Sequence, residues 1–283
     1  MNLPILMTVL ARLRTVPGWM LLSLAMNGLL FLAVLFGMRD NQPAPAQNGS
    51  VLPRASASIP SEEPASKFVP QLGDRQYLTY QQWVTLLRQE VKAAQGTTRL
   101  TVLLGDSISL WFPYELLPGR RHWLNQAISG EQSEALLKRL NALDETEVES
   151  FFLMIGVNDL IAGKSEKQVI TNIEAAVTYL KEKHPNADIV VQSILPHSAE
   201  RATWEGRDRL LLLPNSRIQS VNTALAQIAE RHNAYYLNLY PLVANGEGAL
   251  RPDLTTDGLH LNDNGYLVWR TAISMFMNTE LTP

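Results

Sequence analysis

Apolar positions change their spacing along this chain, and the changes mark out its elements. Over residues 80–94, Trp83, Leu86, Leu87 and Val91 recur at helical spacing, which predicts an amphipathic helix with these side chains turned inward. Residues 100–104 form a short run of apolar and β-branched residues, long enough for a buried strand and too short for a helix. Further strands are predicted over 123–128, 151–155, 189–195 and 234–239. Helical stripes lie between them: Leu136, Leu137, Leu140 and Leu143 in a helix from Glu131, Val169, Ile173, Ala176, Val177 and Leu180 over 164–184, and Ile218, Val221, Leu225 and Ile228 over 215–232. A closing helix is predicted over 262–278, and the apolar run 210–213 either edges a cleft or leads into the helix at 215. Strands alternating with helices predict right-handed βαβ units, hence an α/β fold with a five-stranded parallel sheet covered on both faces as a three-layer sandwich. In such sheets a site lies beyond the carboxyl ends of the strands.

The N-terminal quarter follows a different pattern. Residues 15–38 contain no charged residue, a length that suits one membrane-spanning helix, with Trp19 near an interface. A cleaved signal peptide is the rival reading, with Ala44-Pro45-Ala46 as a small-residue cleavage pattern. The apolar run is longer than a typical signal core and the candidate site lies well past its end, which favours an uncleaved anchor. Arg12 and Arg14 precede the run while Arg39 and Arg54 follow it, so basic residues do not set its orientation. Residues 40–73 carry prolines at 43, 45, 53, 60, 64 and 70 among Ala, Ser, Gln and Asn, the composition of a disordered tether. The expected organisation is therefore an anchor over 1–39, a linker over 40–73 and a catalytic domain over 74–283. An anchor followed by a tether suits a domain held on the periplasmic or extracytoplasmic side.

Composition narrows the chemistry. The net charge is −3 and no basic run exists, which argues against a nucleic-acid partner. The absence of cysteine excludes disulfides, thiolate catalysis and Cys-ligated metal. Two short stretches carry candidate chemistry. In Gly105-Asp106-Ser107-Ile108-Ser109 a strand ends in a turn where a helix would start, which delivers the Ser107 hydroxyl beside free helix N–H groups. In Asp257-Gly258-Leu259-His260 the two intervening residues allow a tight turn that sets a carboxylate against an imidazole. The other histidines lack such a neighbour, and His184 and His232 fall near helix C-termini, where a cation needs no function. The aromatics Trp111, Phe112 and Tyr114 either line a pocket or, as the better expectation, pack beneath the first helix.

Four blocks in this order resemble the SGNH, or GDSL, hydrolase family. They are Gly105-Asp106-Ser107-Ile108-Ser109, Ile128-Ser129-Gly130, Gly156-Val157-Asn158-Asp159 and Asp257-Gly258-Leu259-His260, and the resemblance covers about residues 98–278. It implies a flavodoxin-like sheet, Ser107 as nucleophile, His260 as base and Asp257 as the group that orients it. It assigns the oxyanion hole to the N–H groups of Ser107 and Gly130 and to the Asn158 amide, with Asp106 and Asp159 holding turns. No metal or organic cofactor is implied. The glycine that follows the serine in the α/β-hydrolase elbow is replaced by Ile108-Ser109, which sets the two hydrolase types apart. Around Gly130 and His260 the text is similar to platelet-activating-factor acetylhydrolase-like esterases. The implied activity is hydrolysis of an ester of a small molecule, a glycan or a lipid through an acyl-serine. An O-acyltransferase or a polysaccharide O-deacetylase with the same triad, or a tethered binding module without turnover, are the alternatives.

Overall fold

A computed structural model of the chain describes residues 78–119 and 121–281. The predicted membrane span at 15–38 and the linker at 40–73 lie outside the described residues. Among those described, no helix is long and apolar enough to cross a membrane.

Helix α1 (Tyr80–Ala93) opens with a capping box: the Thr79 hydroxyl accepts the Gln82 N–H, and Gln82 in turn accepts the Thr79 N–H. Five strands follow, β1 (Leu100–Gly105), β2 (His122–Asn125), β3 (Ser150–Met154), β4 (Asp188–Gln192) and β5 (Tyr235–Leu237). All pair in parallel, in the order β2-β1-β3-β4-β5. The strand order reverses between β1 and β3, and ligand sites of doubly wound sheets open at such a reversal.

The intervening helices are α2 (Ser107–Leu110), α3 (Ser133–Arg139), α4 (Val157–Ile161), α5 (Glu166–Lys183), α6 (Arg207–Leu211), α7 (Asn215–Arg231), α8 (Tyr240–Val243) and α9 (Asp263–Thr279). Register divides the sheet into two faces, because side chains alternate along each strand. Phe151 points to the side where His184 closes α5, with ring centroids 4.9 Å apart, and α5 packs against α3 and α7 there. Gln192 and Tyr235 point to the side of α9, where Trp269 donates to the Gln192 side chain at 2.7 Å and Phe276 meets the Tyr235 ring. Strands β1 and β3 are buried along their whole length, as a sheet covered on both faces requires.

Several boundaries differ from expectation, each for a visible reason. Strand β2 stops at Asn125 rather than 128, because the Asn125 side chain accepts the Ala127 N–H and donates to the Ser109 carbonyl. Strand β4 stops at Gln192 rather than 195. There Asn222 of α7 takes both the N–H and the C=O of Ile194, each at 2.8 Å, and replaces a strand partner. The helix expected from Glu131 is α3 followed by a 3₁₀ turn over Leu140–Leu143, and Leu137 is only half-buried. The run 210–213 is split: Leu210 and Leu213 are buried, while Leu211 and Leu212 face solvent at the end of α6.

Candidate active site

Strand β1 ends at Gly105 in a space that admits no side chain, since an added methyl would overlap the Ser109 hydroxyl and the Met154 carbonyl. The chain therefore turns sharply against the end of β3, and Asp106 caps the single turn of α2 by accepting the Ile108 N–H at 3.1 Å. Asp106 is fully buried. Burial pushes its carboxyl up to about 7, nearby Glu131 and Asp159 add to this, and the Ile108 N–H opposes it.

Ser107 follows, with its Oγ 3.0 Å from His260 Nε2. On the other side of the imidazole, Nδ1 lies 2.7 Å from Asp257 Oδ2. The second carboxylate oxygen, Oδ1, accepts the N–H groups of Leu259 and His260 at 2.9 and 2.8 Å. Burial alone would raise the Asp257 carboxyl, but the His260 ring and these two N–H donors outweigh it and hold it below the usual carboxylate range. A carboxylate at Nδ1 selects the tautomer whose Nε2 lone pair faces the serine. The three predicted residues thus form one hydrogen-bonded chain across a sequence separation of 153 residues.

The loop carrying Asp257 and His260 is itself clasped. Gly258 has φ +89°, and an added methyl there would collide with the Ala202 backbone. The Asp257 carbonyl accepts the N–H groups of Thr203 and Trp204 at 2.7 and 2.9 Å, and the Gly258 carbonyl accepts that of Ser198. The segment between β4 and α6 therefore grips the loop that carries Asp257 and His260 through its main chain.

Gly130 and Asn158 meet beside this turn. The Ile128 N–H donates to the Gly105 carbonyl at 3.1 Å, which brings the loop after β2 against the serine turn. Asn158, in the first turn of α4, donates one amide hydrogen to the Glu131 carbonyl at 3.2 Å. An amide carries two such hydrogens, so one stays available. Among the described residues, the Ser107 and Gly130 N–H groups meet no hydrogen-bond acceptor. Asp159 ties the same two loops together by accepting the N–H and the hydroxyl of Ser133, both at 2.8 Å, with Lys164 Nζ 3.4 Å away.

The aromatics after Ser107 divide. Phe112 is buried against Tyr266 and Trp269. Trp111 is not packed beneath the first helix; its ring lies over the His260 imidazole and is 36% exposed. Nothing in the local sequence separates these two neighbours, because the rings that receive Phe112, Tyr266 and Trp269, come from α9, far along the chain. Glu131 and its partner Arg139 also sit at the loop that carries Gly130 without a local sequence signal.

The GDSL-like lipase/acylhydrolase family model matches residues 103–268. The chain belongs to this family. Its enzyme class is accordingly that of a GDSL-type ester hydrolase. It is 26% identical over 212 residues to the platelet-activating factor acetylhydrolase IB subunit alpha1 of Bos taurus, covering 72% of this chain and 85% of that one. Its fold is similar to that of a GDSL-like lipase from Bacteroides thetaiotaomicron (TM-score 0.58, 21% identity, 69% of this chain and 97% of that one). It is also similar to a lipase/acylhydrolase from Enterococcus faecalis (TM-score 0.51, 23% identity, 66% and 98%).

Proposed function

We propose that this GDSL-type hydrolase is tethered to a membrane by residues 15–38 and cleaves carboxylic esters through an acyl enzyme on Ser107. The observation that carries the reading is the continuous chain from Ser107 Oγ through His260 to Asp257. Ser107 Oγ attacks the ester carbonyl carbon while its proton passes to His260 Nε2. The carbonyl oxygen, now an anion, is held by the N–H groups of Ser107 and Gly130 and by the free amide hydrogen of Asn158. Collapse breaks the bond to the alkoxy oxygen, and His260 returns the proton to the departing alcohol. Water then repeats the sequence with His260 as base, and release of the acid restores Ser107. Asp257 keeps its negative charge throughout and stabilises the imidazolium that forms twice per cycle.

The tether rests on the uncharged run at 15–38 and the proline-rich stretch after it, which together suit a domain on the extracytoplasmic side. A fluorophosphonate probe tests the chemistry: labelling is expected in the wild type, with neither labelling nor ester hydrolysis in Ser107→Ala. Undiminished turnover by Ser107→Ala would overturn the mechanism. Esters of increasing acyl length and acetylated sugars, assayed with and without alcohol acceptors, report the substrate class and whether the acyl group passes to water. Protease access in intact against permeabilised cells reports the side on which the domain lies.

A further inference from the structure

We propose that Tyr80, Glu131 and Arg139 form a positioning relay that aims the Gly130 N–H and the Asn158 amide at the oxyanion. The inference rests on the oxyanion reading above. Its starting point is a charge placement that the catalytic steps do not use. Glu131 directly follows Gly130, and its side chain is fully excluded from water. Arg139, also buried, holds the Glu131 carboxylate through both ends of its guanidinium, with Nε 2.6 Å from Oε1 and Nη2 against Oε2. Tyr80 of α1 donates its hydroxyl to Oε1 at 3.1 Å.

A buried ion pair contributes little to stability compared with apolar residues of the same volume. Its fork geometry, however, fixes direction, which apolar packing does less well. The loop it holds needs that. Gln126 and Ile128 still donate to the Leu103 and Gly105 carbonyls of β1, but residues 129–132 pair with no strand, and an added methyl on Gly130 would meet nothing within 4 Å. Packing on Gly130 therefore cannot set where its N–H points. Arg139 grips the loop at two places, through the Gln126 carbonyl and through the Glu131 carboxylate. The Glu131 main-chain carbonyl in turn accepts the Asn158 amide. Both proposed donors thus take their orientation from one residue, and that residue takes its own from Arg139 and Tyr80.

Burial raises the Glu131 carboxyl while Arg139 and Tyr80 lower it, so the partners that orient the group also favour its charged form. Tyr80 lies in the first turn of α1, so the helix that follows the N-terminal segment contributes to the geometry of a site whose residues lie elsewhere in the chain.

The test is a mutant cycle on the full chain with 4-nitrophenyl acetate. Tyr80→Phe and Glu131→Gln are each assayed alone and combined with Asn158→Ala, and melting is followed on the same preparations. Alone, Glu131→Gln is expected to lower kcat about tenfold, and Tyr80→Phe about threefold, at nearly unchanged KM. In the Asn158→Ala background the same substitutions should cost much less, because one of the donors they orient is already gone. Equal fold losses in both backgrounds, or a lowered melting temperature with kcat intact, would overturn the relay and leave a structural pair. Where Glu131→Gln does not fold, Tyr80→Phe decides alone, since its ring is partly exposed and its only change is one hydroxyl. Full kcat in Asn158→Ala by itself would overturn the oxyanion reading and the relay with it, whereas a kcat loss there with additive cycles overturns the relay only.

Discussion

The Trp111 ring covers one face of the His260 imidazole, with centroids 4.3 Å apart and planes inclined by 38°. In the proposed mechanism Nε2 delivers a proton to the leaving alcohol, so that alcohol departs along the edge of this aromatic pair. Trp111→Ala is therefore expected to raise KM for aryl esters about fivefold, on the order of 1 kcal/mol for one lost aromatic contact. Trp111→Phe should restore most of it. The melting temperature should hardly move, because Trp111 is an exposed residue at the surface. Equal effects on aryl and small alkyl esters would show that the indole orients His260 and does not touch the alcohol.

Asp257 offers a sharper contrast between charge and shape. Asp257→Asn keeps an oxygen for the Leu259 and His260 N–H groups but presents an amide to Nδ1, which favours the wrong imidazole tautomer. A fall in kcat of up to about 10⁴-fold is expected, with the domain still folded. Steady-state kinetics beside a melting curve check it, and a loss under about tenfold would remove Asp257 from its orienting role.

Asp106 makes stability depend on pH in the opposite sense to a salt-bridged carboxylate. Its carboxyl sits near 7 in the folded chain against 3.8 for the free group, so the folded state holds the proton longer. Its contribution is therefore most favourable below about pH 4 and is lost as pH climbs toward about 7. Asp106→Asn retains an acceptor for the Ile108 N–H and carries no charge. Its melting temperature should change less than that of the wild type between pH 4 and 7, and parallel curves would assign the dependence to other groups.

The centre of the sheet was legible because β1 and β3 are buried runs: all five residues of β3 are inaccessible, and such a run cannot alternate. Where strands end was not legible, since Asn222 reaches Ile194 from 28 residues away and leaves no local mark. The same division holds at the site. Asp257 and His260 are three residues apart, and a turn between them is a local property. Glu131 and Arg139 each look like ordinary charges near a helix, and only the packing of α1 and α3 around the loop makes them a buried pair. Trp111 and Phe112 differ in fate because α9 occupies the space beside one of them.

The close fit of Gly258 against Ala202 has an evolutionary consequence. The segment joining β4 to α6 is the kind of connection that tolerates change while a scaffold is kept, and one by which substrate preference drifts. Here it cannot drift freely, because it is bonded to the 257–258 main chain, and any side chain at 258 would run into the Ala202 backbone. Variation in this segment must therefore keep its fit to the loop that carries His260 before it can be sorted by substrate. Diversity should accumulate toward Leu211 and Leu212, which face solvent beyond the clasp, and not at its grip.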